Sequence, residues 1–335
     1  MHEISTPRPL RLTASAAPLI GALLIVDSLH FVFARILLPL VPPVTAALFV
    51  LAIGTAEVGL FSMLRRRIDL AAFVRRRWFF LSIGFCVAAS TALNYTAVAF
   101  IDPGTASLLA KAEIAFALSI GSVWLRDRLT RAQGAGALLA LFGVAMITFQ
   151  PGDYLSPGAM MVLGSAFLYA LHAAITKRYG GQIDFVDFFF FRLLCTTAFL
   201  LLFVVGRQAL VWPGASAWWV LILVGTIDVV VSRTLYYVLL RRLSVSLLSI
   251  VLTLSPVATI GWSLLLFTTW PTPRQLLGGV AVLLGVGIVT IARSASERKK
   301  FVAHKRRRAG HCPWTHMKSG WEPPFFLCSS NDAIA

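Results

Sequence analysis

Lys111 and Glu113 stand two residues apart in a run, GTASLLAKAEIAFALSIGSVWL, that is otherwise free of charge. An ionisable side chain inside a bilayer costs roughly 2.5–3.5 kcal/mol on insertion scales, so such groups face a bundle interior or water and mark function. Two positions on a helix differ by about 200° of rotation, so each of the two needs a partner on another helix. Glu57 is the natural partner for Lys111. That leaves Glu113 as a carboxylate to take a proton or bind a cationic solute; a buried structural ion pair is the competing reading. Asp27 and His30 are three apart, share a helix face and can hydrogen-bond. An Asp–His pair at mid-membrane suits a proton relay near neutral pH, or a satisfied core pair. His172 is a further candidate, or a single helix–helix contact. Asp228 and Arg233, five apart, are poorly placed to meet each other and are open to charges from elsewhere. Asn94 and Tyr95, with Tyr236 and Tyr237, suit a cavity wall. Pro256 removes a helix hydrogen bond and frees the carbonyl of Leu252, making a hinge or a plain kink. Arg35, Lys177 and Arg192 lie near predicted span ends, where long side chains snorkel to headgroups.

The elements that must hold these groups are apolar. Of 335 residues, 58% are hydrophobic and 13% charged, with mean hydropathy +0.81. Soluble domains carry about 25% charged residues, so the chain is read as an integral membrane protein. About 20 apolar residues cross a bilayer as helix. Ten such stretches occur, at about 17–38, 43–64, 79–101, 104–125, 132–150, 158–177, 186–206, 217–240, 245–268 and 274–293. Their apolar runs are continuous rather than alternating, which excludes a β-barrel. The expected fold is all-α with ten transmembrane helices, and no soluble catalytic domain fits in the remainder.

Net charge is +16, and its placement argues against nucleic acid. With both termini in the cytoplasm, 24 of the 30 Lys and Arg fall in cytoplasmic segments, and only Arg207 and Arg274 in outer loops. The asymmetry predicts that orientation, with the connector Gln150–Gly158 outside. The basic surface would attract anionic lipid headgroups.

The chain also repeats itself. Leu93–Phe149 overlays Leu235–Ile291 in one constant register, without a gap. Tyr95, Ser107, Thr130, Gln133, Gly136 and Gly143 meet Tyr237, Ser249, Thr272, Gln275, Gly278 and Gly285. The same shift sets His30 on His172. Basic loops do not overlay: Arg126, Arg128 and Arg131 fall opposite the uncharged TTWPTP, and Arg241–Arg242 opposite Ala99–Phe100. Because Lys and Arg mark the cytoplasmic side, equivalent loops must lie on opposite sides of the membrane. Two inverted five-helix repeats follow, an arrangement found chiefly in transporters. Their bounds are 17–150 and 158–293, after a short lead at 1–16 and before a basic tail at 294–335. The tail begins as polar helix or coil, and the stretch from Ala309 on, without apolar period, is expected to be disordered. The tail's His304, His311, Cys312, His316 and Cys328 fit no standard zinc spacing. Four cysteines, two of them in spans, make no disulfide framework. The first span is too long for a cleaved leader.

Thr130-x-x-Gln133 and Thr272-x-x-Gln275 read as capping boxes opening the fifth and tenth spans. Gly134, Gly136 and Gly143 in one, and Gly278, Gly279, Gly285 and Gly287 in the other, let backbones approach closely. These two helices are expected to be paired structural staves rather than site helices.

The run AVAFIDPGTASLLAKAEIAFALSIGSVWLRDRLTRAQGAGALLALFGVAMI and its partner RRLSVSLLSIVLTLSPVATIGWSLLLFTTWPTPRQLLGGVAVLLGVGIV resemble the two EamA-type repeats of the drug/metabolite transporter superfamily. The resemblance implies a ten-helix secondary transporter of small metabolites or drugs. Helices 1–4 and 6–9 would line a central cavity, with helices 5 and 10 at its margin. The family commonly shows Glu-Pro midway through helices 4 and 9. Here helix 4 has Glu113 followed by Ile114, and helix 9 has Ser255 followed by Pro256, so the site is not symmetric.

The reading that follows is a proton-coupled secondary transporter of a small organic solute in a bacterial inner membrane, working by alternating access. It is not an enzyme and needs no cofactor or metal. No G-x-x-x-x-G-K-[ST] run is present to bind ATP. A membrane enzyme acting on lipid would need a cluster near one interface, whereas the acids are scattered through several helices. An uncoupled pore or scaffold does not need buried charge on five helices. Expected partners are the solute, protons and anionic lipid headgroups, with no nucleic acid; a homodimer is left open.

Overall fold

The structure is a computed structural model that describes residues 17–65, 68–124, 130–148, 156–180, 183–242, 248 and 251–309. Every regular element among them is a helix. A bilayer core offers no hydrogen-bonding partners, so a spanning backbone must satisfy its own N–H and C=O groups, and continuous apolar runs do so as helices.

Ten helices carry the span sequence: α1 (Pro18–Leu37), α2 (Pro43–Leu64), α3 (Arg77–Ala97), α4 (Pro103–Val123), α5 (Arg131–Thr148), α6 (Pro157–Tyr179), α7 (Phe185–Gly206), α8 (Ala215–Tyr236), α9 (Ser255–Phe267) and α10 (Pro273–Ala292). All but α9 are long and apolar enough to cross a bilayer. The shorter α9 starts only after a turn at 253–254. Helicity runs on from α10 through Ala309, where the sequence left helix or coil open. The segments 149–155 and 310–335, with Arg126, Arg128 and the zinc-like His311, Cys312, His316 and Cys328, lie outside the described residues.

Both expected capping boxes form. The backbone N–H of Thr130 donates to Gln133 Oε1 at 2.9 Å and that of Gln133 to Thr130 Oγ1 at 3.3 Å. In the second half the same bonds link Thr272 and Gln275 at 2.7 and 3.3 Å. Asp102 caps α4, its carboxylate accepting from the N–H of Thr105 at 2.8 Å, with Pro103 in the first turn. Asp184 caps α7 through Val186 N–H at 2.8 Å.

The two repeats meet about a pseudo-two-fold axis that two sets of contacts locate. Thr55 Oγ1 of α2 and Thr197 Oγ1 of α7, one repeat length apart, hydrogen-bond to each other at 2.9 Å. In α5 and α10, a Cβ on Gly136 would lie 2.7 Å from the carbonyl oxygen of Gly285, and one on Gly143 would lie 2.5 Å from that of Gly278. Positions 136 and 143 are the repeat mates of 278 and 285. Advancing along α5 therefore means retreating along α10. The helices cross antiparallel, the axis is perpendicular to them, and the repeats are inverted. The glycines are there because these backbones touch, which makes α5 and α10 the expected staves.

Apolar side chains serve two surfaces. One continuous core joins the halves through Phe33, Leu37, Val50, Leu108, Leu109, Leu200, Leu221, Val282 and Val286. Outward, Val123 (83% exposed), Trp219 (77%) and Leu265 (76%) present the apolar face that lipid requires.

Candidate functional site

A cavity of about 300 Å³ lies between the halves. Its wall comes from α1–α4 and α6–α9 and from Leu252 just before α9; α5 and α10 contribute nothing. Eight of the candidate residues named from the sequence line it: Asp27, His30, Asn94, Tyr95, Lys111, Glu113, Asp228 and Arg233. The Oδ1 of Asn94 and the hydroxyl of Tyr95 are buried there without a hydrogen-bond partner among the described residues. These are polar atoms for a solute or water to satisfy.

Partners differ from those the sequence suggested. His30 was expected to pair with Asp27. Its Nδ1 instead meets Asp228 Oδ2 at 2.8 Å, across the half-to-half boundary. The helix tightens at Leu29, between Asp27 and His30, where the N–H of Leu29 donates to the carbonyl of Val26 at 3.2 Å. The edge of the Tyr95 ring closes the other side of His30 at 6.0 Å. Asp27 and Asp228 both act electrostatically on Arg233. Glu57 was expected to meet Lys111, but its Oε1 accepts from Thr226 Oγ1 of α8 at 2.6 Å. Glu57 sits two turns, about 10 Å, beyond the cavity residue Val50 along α2. His172 is 6% exposed and packs behind Tyr169, ring to ring at 5.2 Å, so Tyr169 faces the cavity in its place. Tyr236 packs with Leu23 and Leu239, after the helix that carries it has widened into a π turn. The side chain of Tyr237 lies outside the described residues.

Irregular backbone gathers at the same depth. α1 breaks at Leu29, α4 at Lys111 and α9 at 253–254, and α8 forms a π segment, Gly225–Val231, around Asp228. Inside a membrane such breaks survive only where protein or a cavity satisfies the freed groups, and side chains do that here. Thr259 Oγ1 donates to the carbonyl of Ser28 at 2.8 Å. Lys111 Nζ donates to the carbonyl of Leu252 at 3.0 Å. That carbonyl is the one Pro256 releases, because proline has no N–H to reach back four residues. Pro256 is thus less a kink within a long ninth helix than the first turn of a short one.

The wall is symmetric in position and asymmetric in chemistry. The repeat register pairs cavity residues Asp27 with Tyr169, Val50 with Arg192, Leu51 with Leu193 and Val87 with Val229. It also pairs Ser90 with Ser232, Thr91 with Arg233, Ala110 with Leu252 and Glu113 with Ser255. Arg192 and Tyr169 are among the wall residues that escaped the sequence reading. Arg192 was expected to snorkel; it is two turns into α7 and lines the cavity. Tyr169 gave no signal of its own. Sliding Asp27 and Val50 by one repeat would have marked both. Of the other two basic groups placed near span ends, Lys177 is exposed, while Arg35 donates to the carbonyl of Val98.

A helical membrane bundle of two inverted repeats, with discontinuous helices around a polar cavity at their interface, defines a multi-pass transporter. The chain belongs to the EamA-like transporter family, whose model matches residues 16–149 and again 156–291, once per repeat. Members are membrane transporters of small molecules of the drug/metabolite type. A solved crystal structure shares the fold, with TM-score 0.59 over 84% of this chain and 99% of the other at 19% identity. No curated protein matches the sequence.

Proposed function

We propose that this protein is a proton-coupled secondary transporter of a small organic solute in a bacterial inner membrane, working by alternating access, with both termini cytoplasmic. The observation that carries the reading is the cavity itself. It lies between inverted repeats, is walled by eight helices of which four are broken or widened, and holds Glu113 and the His30–Asp228 pair. Its volume of about 300 Å³ sits at the small end of the ~300–1,000 Å³ typical of ligand sites. Rocking one repeat against the other would expose that site to each side in turn. Glu113 is the coupling acid in this scheme: it lines the wall beside the break in α4 and has no structural bond to lose on protonation among the contacts described. The other two acids of the cavity, Asp27 and Asp228, act on Arg233 and, in the case of Asp228, hydrogen-bond His30. The orientation rests on the placement of Lys and Arg.

The test is a screen of small organic solutes in proteoliposomes loaded with a pH-sensitive dye. A transported solute should move protons in step with itself, and a protonophore should collapse its accumulation. Accumulation indifferent to the protonophore would remove proton coupling. Lipid turnover by the purified protein would favour the enzyme reading instead.

A further inference from the structure

We infer that Arg192 forms an anion-binding subsite, and that the solute is an organic acid whose carboxylate or phosphate docks there; this rests on reading the cavity as the transport site. Among the described residues, the cavity holds four basic groups and three carboxylates. His30 has Asp228 at 2.8 Å. Arg233 has the field of Asp27 as well as that of Asp228. Lys111 is anchored on the carbonyl of Leu252 and shares its field with Glu113. His30 and Arg233 thus have carboxylates acting on them and Lys111 has a backbone carbonyl, whereas Arg192 is left without either among the described contacts. The groups acting electrostatically on Arg192 are the Tyr169 phenol and the like-charged Arg233. Its Nε is buried without a partner, and its guanidinium rides 5.6 Å above the Phe189 ring.

A buried guanidinium left without a counter-charge is costly, and its removal from water is offset only when an anion reaches it. The planar fork suits a two-oxygen acid group, which it can hold through two parallel hydrogen bonds. Nothing in the scaffold requires it. The same position in the first half is Val50, which fills the equivalent place in the wall without a charge. Tyr169 stands beside it with His172 behind the tyrosine, and no carboxylate is among the groups that act on Arg192. An amine would find its counterpart at Glu113 instead, so the charge of the solute is what the test must read.

The purified full-length chain in neutral detergent should be titrated with four compounds of one size: benzoate, phenyl phosphate, benzamide and benzylamine. Binding is followed by thermal unfolding and calorimetry. The expected result is saturable protection by benzoate or phenyl phosphate and none by benzamide or benzylamine. Whichever anion binds tighter separates a carboxylate from a phosphate solute. Arg192→Gln should weaken anion binding at least tenfold, and Arg192→Lys, which keeps the charge and loses the fork, should fall between. Should Arg192→Gln not fold, the lysine variant carries the comparison. Protection by benzamide or benzylamine equal to that of the anions, no protection by either anion, or unchanged anion binding in the folded variants overturns the proposal. Because binding is read without a gradient, its failure leaves proton-coupled transport standing. Loss of coupling with anion binding intact would do the reverse.

Discussion

At one register of the repeat, α4 carries Lys111 and Glu113, and the second half carries Thr253 and Ser255. At another, α7 carries Arg192 where α2 carries Val50, and α8 carries Arg233 where α3 carries Thr91. Asp27 stands opposite Tyr169 and Asp228 opposite Cys86. Every fixed charge of the cavity thus has an uncharged mate, while the staves α5 and α10 keep glycine against glycine and the caps keep Thr-x-x-Gln against Thr-x-x-Gln. The difference separates two kinds of constraint. Backbone crossings and caps belong to the fold and are duplicated with it. Charges belong to the site, and duplicating them about a two-fold axis would set like charges together in a low dielectric. The histidines, His30 and His172, are kept in both halves, yet they have parted roles: one is ion-paired at the cavity, the other is covered by Tyr169.

The comparison breaks most visibly at Glu113. Glu113→Gln keeps size and polarity but cannot exchange a proton, and it should reduce proton-driven uptake in proteoliposomes to background while the protein still inserts. Its mate Ser255→Ala removes at most a neutral hydrogen bond, about 1 kcal/mol or roughly a fivefold loss in affinity. Equal effects of the two changes would mean that the halves share the coupling function.

The same substitution in the two histidines gives the next largest contrast. His30→Phe removes the hydrogen-bonded partner of the Asp228 carboxylate at the half-to-half boundary, a loss of about 1–3 kcal/mol for a part-buried pair. Adding Asp228→Asn should restore much of it. His172→Phe strands no carboxylate and should cost less than about 1.5 kcal/mol. Thermal unfolding in detergent reads all three, and a His172→Phe variant as unstable as His30→Phe would erase the distinction drawn here.

Where the fold rather than the site is probed, the halves should respond alike. Gly143→Ala and Gly285→Ala each place a methyl 2.5 Å from a carbonyl oxygen of the facing stave. Each should cost about 1–3 kcal/mol as overpacking, and the two costs should agree. Gly134 and Gly287 have open space at the same site of attachment, so alanine there is the control and should not destabilise. Unequal losses at Gly143 and Gly285 would show that the pseudo-two-fold crossing is not what holds the staves together.

Much of this was legible in the sequence because it is local or periodic. Span length follows from bilayer thickness, the inverted repeat from a gapless shift with discordant charges, the caps from a four-residue pattern, and the staves from glycine spacing. The carbonyl of Leu252 is released by Pro256 alone, through a hydrogen bond that proline cannot make. Eight cavity residues were recognisable because an ionisable or polar side chain in a span must face something other than lipid.

What the tertiary structure decided is who meets whom. His30 takes Asp228, far off in the other repeat, rather than Asp27, because the packing of α8 against α1 brings that carboxylate to 2.8 Å. Glu57 takes Thr226, Lys111 takes the freed carbonyl of Leu252, and Arg192 turns inward with no carboxylate to receive it. Sequence fixes that a buried charge needs a partner, since desolvation depends on the residue and its depth. The choice of partner depends on distances of a few ångströms between helices far apart in the chain, and these exist only once the two repeats have packed about their common axis.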